Sequence, residues 1–150
     1  MTLKIYTDGG AQPNPGIAAF AYVILIDDRL AHQSSGIVGI NTTNNIAEYT
    51  AMIEALTYLM HNKHLITNET DIHLISDSQL LINQLNGSYK INNPTLKKLH
   101  NTITILGQAL FTNTHITLTW NPRENHYTSI CDQLCDSEIL NYKNSNQTNI

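Results

Sequence analysis

The sequence predicts an α/β domain built on a five-stranded mixed sheet, its first three strands antiparallel and the rest parallel to strand one, with helices on both faces. Three observations carry this. Leu3, Ile5 and Thr7 alternate with Lys4, Tyr6 and Asp8, the period of a strand. Two more strand-forming stretches follow with only turns between them: an apolar run to about Ile26 and a segment near His32 to Gly39, reversed at Asp27-Asp28-Arg29. From Thr42 onward, helical periodicity alternates with short strands, so the whole order reads β-β-β-α-β-α-α-β-α.

Each element has a local reason. Gly9-Gly10 ends the first strand and leaves Asp8 at its end, and Gln12-Pro13-Asn14-Pro15-Gly16 is a turn cluster. Thr42-Thr43-Asn44-Asn45 supplies capping side chains, after which Ile46, Tyr49, Ile53, Leu56 and Met60 recur at helical spacing, with Glu48 in the first turn. Asp71 to Ser76 reads as a short buried strand ending at Asp77, and Ser78 to Asn86 as a helix closed by Gly87. Asp77 is thus a second acid at a strand-to-helix junction. Pro94 opens a helix to about Ala109, His115 to Trp120 alternates as the last strand, and Thr128 or Ser129 caps a final helix through Leu140. Residues 1–140 are read as one catalytic domain and the polar stretch 141–150 as a flexible tail.

With 150 residues, 41% hydrophobic and 13% charged, the chain is sized for a single globular domain whose surface is polar more than ionic. Eight Lys plus Arg against twelve Asp plus Glu give a net charge of −4, which excludes holding nucleic acid by bulk positive charge. Polyanion binding must be local or metal-assisted. Cys131 and Cys135 fall on one face of a helix in successive turns, which fits two reduced, buried thiols and a reducing compartment. The start of the chain lacks the apolar core of a signal peptide, and Ile17 to Ile26 is too short to span a bilayer as a helix. A cytoplasmic monomer with no membrane association is expected.

Four acids stand at the edges of elements: Asp8, Glu48, Asp77 and Asp132. Singly, each fits a plain role: a helix-terminal charge for Glu48, a cap for Asp77, a turn for Asp8 and a solvated helix face for Asp132. Together they mean more, because parallel neighbours in a mixed sheet bring Asp8 and Asp77 side by side. Clustered carboxylates repel one another unless cations lie between them, and an oxygen-only donor set suits Mg²⁺, with Mn²⁺ as substitute, rather than zinc. Paired divalent ions are the recurrent apparatus of phosphodiester hydrolysis. Covalent catalysis is set aside: there is no nucleophile elbow, no Gly-rich phosphate loop with a Lys, and no Cys beside an obvious base.

Tyr6-Thr7-Asp8-Gly9-Gly10, Thr42-Thr43-Asn44-Asn45-Ile46-Ala47-Glu48, Ser76-Asp77-Ser78-Gln79, Trp120-Asn121-Pro122-Arg123-Glu124 and Cys131-Asp132 occur in the order and with the spacing of the type 1 ribonuclease H family, which the chain resembles over nearly its whole length. It looks closest to the compact archaeal-type subgroup. The resemblance implies a ribonuclease-H-like fold and an endonuclease that cuts the RNA strand of an RNA·DNA hybrid with two Mg²⁺ ions, leaving 5′-phosphate and 3′-hydroxyl ends. It makes Asp8, Glu48, Asp77 and Asp132 the metal-binding carboxylates, although Asp136, one helical turn later, can replace Asp132 if the register differs. Gly9, Gly10, Gln12, Asn14, Thr43, Asn44 and Gln79 match substrate-contacting positions, where uncharged amides suit ribose hydroxyls and a helix N-terminus suits a phosphate. Arg123 matches an Arg near the scissile phosphate, with His126 as its rival. A basic protrusion found in bacterial members is reduced to Lys90, Lys97 and Lys98 around Tyr89, so weaker hybrid binding is expected. Two other readings remain open: a non-cleaving nucleic-acid-binding module on this fold, and a nuclease for duplex RNA or a strand-transfer relative.

Overall fold

Side-chain alternation along the first strand divides the molecule into two faces. The computed structural model describes residues 1–112, 114–121 and 125–147. In it, β1 (Thr2–Gln12), β2 (Gly16–Ile26) and β3 (Arg29–Thr42) form an antiparallel meander, and β4 (Asp71–Ser76) and β5 (His115–Trp120) join β1 in parallel. The sheet order is β3-β2-β1-β4-β5. Leu3, Ile5, Tyr22 and Ile24 point to one face, where they pack with Tyr49, Met52 and Leu56 of α1 (Asn44–His61), Leu81 of α2 (Gln79–Leu85) and Leu96 and Ile103 of α3 (Pro94–Leu110). Tyr6, Ala21, Val23 and Leu25 point to the other, against Cys131, Cys135 and Ile139 of α4 (His126–Gln147). The mixed sheet with helices on both faces is as expected, and both cysteines are reduced and buried.

The meander follows from local chemistry. Asp27 and Asp28 form a two-residue hairpin turn with φ of 48° and 65°, the left-handed pair that such turns require and that Asp tolerates. Their carboxylates are also used: Asp27 accepts from the Thr2 N–H at 2.8 Å, and Asp28 pairs with Lys4 at 2.7 Å. On α1, Thr43 is the N-cap and accepts the Ile46 N–H at 3.2 Å. Ala47, Ala51 and Ala55 then form a fully buried stripe of small side chains that lets the helix axis lie close to the sheet.

Several boundaries differ from the sequence reading. β1 does not end at Gly9-Gly10 but continues to Gln12, because residues 9–12 pair with Phe20, Ala19, Ala18 and Ile17 of the apolar second strand. Glu48 lies just beyond the first turn of α1, since that helix starts at Asn44. The last helix begins earlier than Thr128 or Ser129: Asn125 accepts the Tyr127 N–H at 2.9 Å, and Thr128 is buried. It also runs past Leu140 to Gln147, as no Gly or Pro interrupts that stretch and extending a helix is easy once it is nucleated. A short 3₁₀ turn at Lys63–Leu65 had no periodic signal. Among the described residues, no helix is long and apolar enough to cross a membrane.

Gly9 sets the spacing between sheet and helix. A Cβ there would lie 2.6 Å from the Glu48 nitrogen and closer still to the Ala47 carbonyl, so the backbone of α1 occupies the space a side chain would need. Gly9→Ala is expected to push α1 off β1 and cost about 3 kcal/mol, the range for overpacking against backbone. A urea midpoint equal to that of the parent protein would show that the contact has slack.

Candidate metal centre

The parallel pairing of β1 with β4 stops at Thr7 opposite Ser76. Asp8 and Asp77 follow directly, so the topology sets Asp8, within β1, beside Asp77, the residue just past the end of β4. Asp77 does not cap the following helix; Ser78 does, accepting the Leu81 N–H at 3.1 Å. Trp120, the last residue of β5, donates its indole N–H to the Asp77 carbonyl at 3.0 Å and fixes the turn on which that acid stands. Glu48 arrives from α1 across the Gly9 contact. Oxygens of Asp8, Glu48 and Asp77 lie within 4.8 Å of one another.

Burial makes this cluster electrostatically costly. Asp8 is 2% exposed and Glu48 8%. Asp8 accepts the Gly9 N–H at 2.8 Å. Its carboxyl is nevertheless pushed up to about 8, first by loss of hydration and then by the charges of Asp77 and Asp132, while hydrogen bonds from Glu48 and Gly9 pull it down. Asp132 is half-buried on α4 and lines the same cavity, of about 430 Å³, as Asp8 and Glu48. Of the two candidate acids on α4, it is Asp132 whose charge bears on Asp8. Asp136 is exposed at the rim, where it accepts from the Gln12 amide at 2.8 Å.

The donor set fits a hard divalent cation. It consists of carboxylate oxygens, as Mg²⁺ and Mn²⁺ prefer. Cys135 also lines the cavity, but its thiol donates to the Asp8 carbonyl at 3.7 Å, and burial pushes its ionisation well above the ordinary range. A protonated thiol is no ligand for a soft metal. One or more divalent ions would relieve the repulsion among these acids.

The remaining sequence-predicted positions separate into groups. Gly9 is buried under α1, where its missing side chain leaves room for the helix backbone, and it also lines the cavity. A Cβ at Gly10 would meet only Asn44 Oδ1 at 3.8 Å, and Gly10, Gln12 and Asn44 line the cavity. Asn14 and Asn44 are tied into the framework: Asn14 Oδ1 accepts the Asn44 N–H at 3.0 Å, and Asn44 Oδ1 accepts the Ala11 N–H at 2.7 Å. Thr43 caps α1 beside them. Gln79 is exposed at the start of α2 and does not line the cavity. His126 is exposed at the start of α4 with its ring edge-on to Tyr127 at 5.0 Å. Arg123 lies outside the described residues. Sequence reasoning missed the parts played by Trp120 and Ser78; only the Ser after Asp77, a favoured capping type, gave a local signal.

Comparison with known proteins gives a consistent picture. The family model for RNase H matches residues 1–139. The bifunctional protein Rv2228c of Mycobacterium tuberculosis (strain ATCC 25618 / H37Rv) is 31% identical over 126 residues, which are 82% of this chain and 32% of that protein. Ribonuclease HI of Halobacterium salinarum (strain ATCC 700922 / JCM 11081 / NRC-1) is 36% identical over 94 residues, 62% of this chain and 44% of that one. The matched part of the chain therefore spans only 32% to 44% of the length of these curated relatives. Among solved structures, LC11-RNase H1 from compost, in complex with an RNA/DNA hybrid, superposes with a TM-score of 0.82 at 33% identity, covering 93% of this chain and 98% of that one.

The raised carboxyl of Asp8 makes metal-free stability depend on pH. As the pH rises from 3.8 toward about 8, the unfolded chain releases this proton while the folded chain retains it, so stability falls across that window. Asp8→Asn removes this group's contribution to the dependence. In EDTA the variant is expected to exceed the parent by on the order of 2 kcal/mol at pH 8 and to match it near pH 4, as read from urea unfolding. A variant no more stable at pH 8 would mean that the acids are not under mutual strain.

Proposed function

The chain belongs to the RNase H family, and on that premise we propose that it is an endoribonuclease hydrolysing the RNA strand of RNA·DNA hybrids by a two-metal-ion mechanism, leaving 5′-phosphate and 3′-hydroxyl ends. The observation that carries this reading is the convergence of Asp8, Glu48 and Asp77 oxygens within 4.8 Å, with Asp132 facing the same cavity. Asp8, Glu48, Asp77 and Asp132 hold two Mg²⁺ ions, for which Mn²⁺ can substitute. Bound divalent ions supply the Lewis acidity that phosphodiester hydrolysis needs at neutral pH.

The chain's own residues bind and orient the substrate. Asp8 is central to the cluster, and Glu48, at the helix edge of the cavity, approaches a ribose hydroxyl. Gly10 and Gln12 let the RNA backbone lie against the end of β1. Asn14, Asn44 and Gln79 contact ribose groups of the minor groove, where sequence is not read. Thr43 and the start of α1 receive a phosphate of the DNA strand. Gly9 contacts the substrate from the same stretch of β1, and its missing side chain also lets α1 hold Glu48 in place. Arg123 pairs with the scissile phosphate through its planar guanidinium. Residues 1–140 form the catalytic domain, and the polar stretch 141–150 is peripheral to catalysis although α4 continues into it as far as Gln147; the protein works as a cytoplasmic monomer.

The direct test is cleavage of an end-labelled RNA·DNA hybrid by parent and Asp8→Asn proteins in Mg²⁺ or Mn²⁺. The parent is expected to yield RNA fragments with 5′-phosphates and to lose activity in EDTA. The variant is expected to fall by at least about 100-fold, the scale for losing a preorganised electrostatic group. Cleavage undiminished by the substitution would falsify the reading. Parallel assays on duplex RNA and duplex DNA define the substrate range.

A further inference from the structure

The rim of the metal cavity carries an interaction that neither the family motifs nor the acid cluster accounts for. Gln12, at the end of β1, donates its Nε2 to Asp136 Oδ1 on α4 at 2.8 Å, although 124 positions separate them in the chain. Both side chains are exposed and both line the cavity that holds Asp8, Glu48 and Asp132. A carboxylate only accepts, so Asp136 obliges the Gln12 amide to turn its NH₂ toward α4 and its Oε1 to the opposite side. Nearby Asn44 is fixed in the converse sense: its Oδ1 is taken by the Ala11 N–H at 2.7 Å, so its NH₂ is the end it offers to the cavity it lines.

We propose that Asp136 is a positioning residue that turns Gln12 into an oriented hydrogen-bond acceptor for a ribose 2′-hydroxyl, and so contributes to the choice of RNA over DNA. The inference rests on the hybrid-cleavage reading above. With Gln12 presenting an acceptor and Asn44 a donor, the rim suits a group that donates and accepts at once. A hydroxyl does both. A deoxyribose carbon does neither, and a phosphate oxygen, which only accepts, is repelled by Oε1.

The test compares hybrid cleavage by the parent, Gln12→Ala, Asp136→Ala, Asp136→Asn and the Gln12→Ala/Asp136→Ala double variant, using hybrids that carry single 2′-deoxynucleotides along the RNA strand. Loss of one such hydrogen bond corresponds to about 3- to 10-fold in affinity. Gln12→Ala and Asp136→Ala are each expected to raise KM by about that factor, with the loss in KM rather than kcat. Asp136→Asn keeps an accepting oxygen and is expected to restore the parent KM. The double variant should be no worse than either single one. At one position the 2′-deoxy substitution should penalise the parent by a similar factor and the Gln12→Ala protein not at all. Parent-like KM in Asp136→Ala, additive losses in the double variant, or equal deoxy penalties in parent and Gln12→Ala would each overturn the proposal while leaving the hybrid-cleavage reading intact. A parent protein that does not cut hybrid overturns that reading, and this proposal with it.

Discussion

The backbone of α1 at Ala47 and Glu48 rests against β1 at Gly9, in a space that any side chain at that position would fill. This contact lies one residue beyond Asp8 in β1 and involves the very residue that carries the third acid. It therefore fixes the separation of Asp8 and Glu48 by backbone packing, not by the flexible reach of a side chain. The buried Ala47, Ala51 and Ala55 stripe extends the same close approach along the helix. Together with the register of β1 and β4, which ends one residue short of both aspartates, it makes the acid cluster a property of the framework.

That framework holds groups that oppose it. Asp8 is buried among like charges and would be more comfortable protonated, hence its carboxyl at about 8. Against this stand the two apolar clusters on either side of the sheet, where each fully buried Leu or Ile contributes about 2 kcal/mol. Leu3 and Ile5 from β1 itself, with Ile24 of β2 and Leu56 of α1, supply part of this burial directly beside the acid-bearing elements. The site is thus a local weakness carried by a stable sheet, and a hard cation is the ligand that turns the repulsion into attraction. The buried thiols of Cys131 and Cys135 reinforce this choice: hydrogen-bonded to the Tyr6 and Asp8 carbonyls, they brace β1 from beneath and offer no soft ligand.

The cavity rim obeys a second rule, that polar side chains near the site are held by the protein before a substrate arrives. Asn14 and Asn44 each commit an amide oxygen to a backbone N–H, Gln12 commits its amino group to Asp136, and Trp120 commits its indole to the Asp77 carbonyl. Side chains so fixed lose little freedom on binding, which is the physical content of preorganisation.

Much of this was written in local pattern. The limits of β4 and β5 follow from alternation bounded by acid, Asn or Trp, and the start of α3 from Asn93-Pro94. Asp77 was legible at the end of β4, whereas Asp8 lies within β1 and Glu48 just beyond the first turn of α1, so what the local pattern gave for those two was the residue and its element, not an edge. What sequence alone could not decide is which distant groups meet. Nothing near Gly9 reveals that Ala47 will press on it, nothing near Asp77 names Trp120, and nothing near Gln12 points to Asp136. The continuation of β1 past its glycines likewise depended on the apolar partner strand rather than on β1. Periodicity records how each residue relates to its neighbours within a few positions, so it determined the elements and the chemistry they carry. The distances among those groups belong to packing between segments remote in the chain, and only the folded structure, through the close contact of α1 with the sheet and the register of its parallel strands, decided them.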